Sequence, residues 1–160
     1  MIGLQSIESA LVQVLSAAGL PYEVQPYPEK SSEFRFTHPN GVVLVRFRKS
    51  TFEHPHPIDS VVQDVTVQFD CAVLGRSLRG AKGAYVVTDG VRNALSGIML
   101  ETAPVYPVSE EFMEEEDGVW TFSLSYAVPL THVQALTTAV EPLLTRITTS
   151  DNFGTTEEIP

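Results

Sequence analysis

The chain has 160 residues, 43% of them hydrophobic and 19% charged, which fits one globular domain around a single core and excludes a disordered polyelectrolyte. Ten Lys and Arg stand against twenty Asp and Glu, a formal net charge of −10. That balance opposes nucleic-acid binding, because affinity for phosphate backbones comes from cations that displace counterions.

The opening stretch, MIGLQSIESALVQVLSAAG, lacks the basic start and continuous apolar run of a signal peptide, and no run of about 18 apolar residues follows anywhere. Neither export nor a membrane span is expected. From Ser6, the apolar residues Ile7, Leu11, Val14, Leu15 and Ala18 recur at three- and four-residue spacing. This predicts an amphipathic helix that Ser6 can cap and Gly19 can end. Pro21, Pro26 and Pro28 allow at most a short edge strand around Tyr22 to Gln25. Phe34 and Phe36 alternate with polar neighbours, His38-Pro39-Asn40-Gly41 follows, and Val43, Val45 and Phe47 alternate with Leu44, Arg46 and Arg48. An Asn-Gly between two alternating runs reads as a hairpin.

Residues 49–60, KSTFEHPHPIDS, read as a proline-broken loop. Val61, Val65, Val67, Phe69, Cys71 and Val73 then face one way while Asp64, Thr66, Gln68 and Asp70 face the other, the signature of an antiparallel strand with one wet face. A second helix is predicted from about Ala84 to Leu100 on the spacing of Tyr85, Val87, Val91, Ala94, Leu95 and Ile98. Trp120, Phe122, Leu124, Tyr126 and Val128 alternate with Thr121, Ser123 and Ser125 as a further strand. The order lacks a βαβ rhythm, so the fold class is α+β: a single antiparallel, at most mixed, sheet with two helices packed on one face. Residues 1–130 form this domain. Residues 131–160, with Val133, Leu136, Val140, Leu143, Leu144 and Ile147 at helical spacing around Pro142, read as a partly helical C-terminal arm with a frayed end.

Three stretches invite a functional reading. GRSLRGAKG, residues 75–83, nearly spells a phosphate-binding loop. That loop needs Lys and Ser or Thr directly after its second glycine, and here Ala81 precedes Lys82 while Gly83 stands where the hydroxyl belongs. No nucleotide or other cofactor is expected. His54 and His56, near Glu53 and Asp59, could offer imidazoles, but the flanking prolines hold an extended loop rather than a helical pair, so no metal is expected. Cys71 is the only cysteine, which rules out an intramolecular disulfide and a cysteine cluster for zinc, and no GxSxG elbow occurs. No catalytic residue is assigned.

Charge marks two further candidates. Glu110, Glu111, Glu114, Glu115, Glu116 and Asp117 supply six of the twenty acidic residues and read either as a solvated hairpin tip or as a docking surface for a basic partner. Arg76, Arg79 and Lys82 gather three of the ten basic residues in one loop. They either solvate it or meet acidic groups on a neighbouring copy, as opposite charges on two faces of one chain would allow.

The stretch GAYVVTDGVRNALSG, most specifically Gly83, Ala84, Tyr85, Asp89, Arg92, Leu95 and Gly97, resembles the tail terminator proteins of Mu-like contractile-tailed phages and related prophages. The likeness runs from about Ile7 through Val128 in order and character. It implies a structural virion protein, a homo-oligomer forming a hexameric ring at the tail–neck junction and assembled in the host cytoplasm. Its implied partners are the tail tube protein, the tail sheath protein and neck or head-completion proteins. DNA would pass through the lumen without specific binding, which an acidic chain favours. A ring or adaptor of a capsid-less injection machine is the alternative in the same class, and a small metal-binding enzyme using His54 and His56 the alternative outside it.

Overall fold

A computed structural model describes residues 1–58 and 60–135. Helix α1, Leu4–Ala17, buries the expected stripe of Ile7, Leu11 and Leu15. It begins before Ser6. Gly3 supplies the first carbonyl, accepting from the Ile7 N–H at 3.1 Å, so Ser6 lies inside the helix and caps nothing.

Strand β1, Glu23–Pro26, is the short edge strand foreseen between the prolines. It pairs in parallel with β2, Gly41–Phe52, which makes the sheet mixed. The hairpin expected across Asn40-Gly41 does not form, and Phe34 and Phe36 belong to no strand. The reason is local and tertiary at once. His38 Nδ1 accepts from the N–H groups of Asn40 and Gly41, both at 3.1 Å, which folds a turn. The carbonyls of Phe36 and His38, which a ladder would need, instead accept from the Arg76 guanidinium at 3.1 and 3.0 Å. The loop expected from residue 49 starts later, because residues 49–52 continue β2 against Gln68 to Val65.

Strand β3, Val62–Gly75, is central, flanked by β2 and by β7, Val119–Val133; β6, Tyr106–Glu116, closes the far edge. The order is β1-β2-β3-β7-β6, and all pairs except the first are antiparallel. Between β3 and β6 lie α2, Ala84–Leu95, and a small hairpin of β4, Met99–Leu100, and β5, Ala103–Pro104. α2 stops short of Leu100 because Gly97 turns at φ +82° and donates its N–H to the Val105 carbonyl at 2.8 Å. Ile98 then accepts from the Val105 N–H at 2.9 Å, so the residues expected to prolong the helix turn into the hairpin.

Both helices cover one face of the sheet, over Val43, Val45, Val65, Val67, Phe69, Leu124 and Tyr126. Ile98, Trp120 and Phe122, which the sequence spacing puts on apolar sides of their elements, are only partly buried at the margin of the core. The opposite face is not uniformly wet. Val42 and Leu44 point outward by alternation yet are buried. Phe36, from the segment between β1 and β2, lines a depression there with Leu74, the register partner of Val42. Nearby, the Ser125 hydroxyl donates to Asp70 Oδ1 at 2.6 Å and accepts from Arg48 at 2.9 Å, so a buried carboxylate keeps its partners. β7 runs three residues beyond the expected domain limit at 130, and the helical pattern assigned to the arm, from residue 136 on, lies outside the described residues.

Candidate interaction surfaces

The loop of residues 76–83 is a tight connection from β3 to α2. The N–H groups of Gly83, Ala84 and Tyr85 donate to the carbonyls of Gly80, Ser77 and Leu78 at 2.9 to 3.1 Å. The amides that a phosphate would require are thus bonded within the loop. Its glycines serve packing: a Cβ on Gly83 would lie 2.6 Å from Arg79 and Leu78 backbone atoms. From below, the buried Tyr22 side chain donates its hydroxyl to the Lys82 carbonyl at 3.0 Å.

The three cations of this loop are not equivalent. Arg76 holds the Phe36 and His38 carbonyls and stacks over the Phe36 ring at 4.2 Å, so it pins the segment between β1 and β2. Arg79 sits 5.8 Å from the Tyr85 ring. Lys82 is exposed and contributes to the fold through its carbonyl.

The acidic run is a strand rather than only a tip: β6 carries five of its glutamates, and Asp117-Gly118 alone makes the turn, with φ of +52° and +77°. Two positive φ angles in a two-residue loop define the turn that matches strand twist. Glu115 accepts from the Gly118 N–H at 2.8 Å and fastens it. Register assigns the rest to two faces. Glu110 and Phe112 stand opposite Leu124 and Phe122 on the helix-covered face, whereas Glu111, Glu114 and Glu116 stand opposite Ser123, Thr121 and Val119 on the outer face. Glu110 forms a bidentate pair with Arg92 at 2.5 and 2.7 Å, and Arg92 also meets Asp89 at 3.1 Å, so the Arg92 guanidinium is held firmly cationic.

The basic loop and the acidic tip share one end of the sheet, because Gly75 and Glu115 both pair with Trp120. Between α2 and the β6–β7 edge opens a cleft of about 450 Å³, lined by Tyr85, Thr88, Arg92, Glu110, Phe112 and Phe122. Tyr85 and Phe112 each meet Phe122 edge-on, at 5.9 and 5.5 Å, and both remain about half exposed. The Thr88 hydroxyl is buried at the cleft without a partner among the described residues. The sequence put Tyr85 on the apolar stripe of the second helix and gave Phe112 no role; their meeting through Phe122 joins residues from elements far apart in the chain.

His56 stands 3.4 Å from Asp64. Among the described residues no three His, Cys, Asp or Glu side chains gather as metal ligands, and Asp59 lies outside them.

Charged strand edges, an aromatic cleft and a loop closed to phosphate define an α+β protein whose chemistry lies in its surfaces. The family model for the phage Gp37 protein matches residues 11–151, and the chain belongs to the Gp37 family. A comparison with curated proteins gives no match.

Proposed function

We propose that the chain is a tail terminator: a structural protein whose ring caps the finished tail, contacts tube and sheath proteins below and joins neck or head-completion proteins above. The observation that carries this reading is membership of the Gp37 family over most of the chain. The residues behind the resemblance to terminators add support, since each has a defined place. Gly83 starts α2, Tyr85 lines the cleft, Asp89 and Arg92 pair, Leu95 is buried and Gly97 ends the helix. This role requires no catalytic group or cofactor. The loop cations Arg79 and Lys82 lie at the contact with the tail or the adjacent subunit, while Arg76 is engaged in pinning the segment between β1 and β2.

Light scattering and electron microscopy of the full chain, alone and mixed with tails lacking a terminator, test the reading. Rings alone or on tail ends are expected. A chain that stays at its single-copy mass of 17.5 kDa and leaves tail ends bare would refute it.

A further inference from the structure

The cleft between α2 and the β6–β7 edge combines half-open rings with a surplus of carboxylates. Tyr85, 46% exposed, and Phe112, 51% exposed, each lean edge-on against Phe122. Trp120 stands beside Phe112 with ring centres 6.0 Å apart. Clustered aromatic side chains of this kind receive a partner's anchor well, because they offer a large apolar area at little cost in conformational entropy. The charge around them is one-sided. Asp89 and Glu110 line the cleft from α2 and β6, and Glu111 reaches its rim from the outer side of the edge strand. Only Arg92 opposes these three carboxylates, and Glu111 pairs with no cation among the described residues. The same cleft holds Thr88, 7% exposed, whose hydroxyl has no partner among the described residues. A buried hydroxyl left in that state costs stability until something bonds to it.

We infer that this cleft binds an arginine side chain presented by a protein partner. A cation suits both parts of the lining, since ring faces and carboxylates each attract it. Guanidinium suits it better than ammonium, because a planar group can stack on a ring while its N–H groups donate to carboxylates and to the Thr88 oxygen. The chain makes the same contact elsewhere: the Arg46 and Arg76 guanidinium carbons lie 5.0 and 4.2 Å from the Tyr27 and Phe36 ring centres. Its own cations leave the cleft open. Arg79 reaches the Tyr85 ring at 5.8 Å without lining the cleft, and Arg92 is engaged with Glu110 and Asp89. An acidic anchor would be repelled by the three carboxylates, and an apolar one would desolvate them without compensation. The backbone carrying the arginine would lie beside the edge of β6 that has no strand next to it among the described residues.

Such a site is independent of the capping role: scattering reads the ring, a ligand titration reads this contact, and either can fail alone. The probe is the peptide acetyl-Gly-Arg-Gly-Arg-Gly-amide, titrated into the full isotope-labelled chain and followed by NMR. Saturable shifts centred on Tyr85, Thr88, Phe112 and Trp120 are expected. Replacing the arginines with citrulline, which keeps the shape and loses the charge, should weaken binding about tenfold, as loss of a partly desolvated cation–π contact does. Phe112→Ala should weaken it about as much, and Glu111→Gln about two- to threefold. Both positions are exposed, and urea midpoints establish that the variants fold. Thr88→Val should weaken peptide binding while leaving the free chain no less stable, which a purely structural hydroxyl would not do. Spermidine separates a free polyamine from a side chain, and it should shift the acidic tip without saturating at the rings. Equal affinity for the citrulline peptide or for spermidine would overturn the assignment. Shifts spread along the β6 glutamates with no focus on Tyr85 and Phe112 would overturn it as well.

Discussion

Gly41 and Gly75 are register partners at the ends of β2 and β3, and Tyr22 fills the notch that their missing side chains leave. Gly75→Ala would drive a Cβ into the Tyr22 hydroxyl, with the ring carbon behind it at 3.1 Å. Gly75 does not need a positive φ, so the whole penalty is steric. Tyr22 is 5% exposed and has nowhere to move without leaving its site. Expelling it forfeits about 1.5 to 3 kcal/mol of burial and about 1 kcal/mol for the bond to Lys82. The expected loss is about 2.5 to 4 kcal/mol, or roughly 5 to 15 °C in melting temperature for a chain of this size. Tyr22→Phe alone should cost about 1 kcal/mol, since it removes only the hydrogen bond. The double variant should be little worse than Tyr22→Phe, because the atom that the new methyl meets has gone. Urea denaturation of the four proteins measures the coupling. Additive costs would show that the hydroxyl is not what the methyl strikes and would refute the packing argument.

Alkaline pH should destabilise the fold through groups that burial keeps neutral. Burial pushes the Tyr22 hydroxyl up to about 12, and burial followed by the neighbouring Asp70 charge pushes the Cys71 thiol up to about 12. Both folded values exceed the unfolded ones, so this stability is complete below about pH 8.5 and is lost as pH rises towards 12. Urea midpoints measured across that window should fall, Tyr22→Phe should remove the part lost above about pH 10, and a flat profile would contradict the assignment. Phe69→Ala should cost about 3 to 5 kcal/mol, because the ring is fully buried and packs edge-on against Phe47 at 5.8 Å. Phe122→Ala, at the half-open margin, should cost about half as much by chemical denaturation; equal losses would place Phe122 in the core after all.

Where one residue pattern decides one element, the fold was legible. The stripe of Ile7, Leu11 and Leu15 and the alternation of Val65 to Val73 needed no distant partner to be read correctly. Asn40-Gly41 misled because a turn dipeptide makes a hairpin only if the arm before it is free to pair, and Arg76, some forty residues on, binds that arm's carbonyls. Glutamates disfavour strands, yet β6 forms because pairing with β7 and the contact of Phe112 with Phe122 outweigh that preference. Of the candidate surfaces, charge alone located the loop cations and the acidic run. Which cation is engaged, which glutamates share a face, and how Phe112 reaches Tyr85 through Phe122 depend on register, which a single chain does not spell out.

The position of β7 between β3 and β6 also sets an order of events during synthesis. β7 and β6 are joined by two residues and can zip locally, whereas β3 meets β7 only after α2 and the small hairpin have intervened. Pairings so distant along the chain close late, because the intervening loop must be ordered before they form. A nascent chain therefore holds β3 with one side unsatisfied until almost all of the described residues have emerged. The acidic edge reaches its place only when the β6–β7 hairpin docks as a unit.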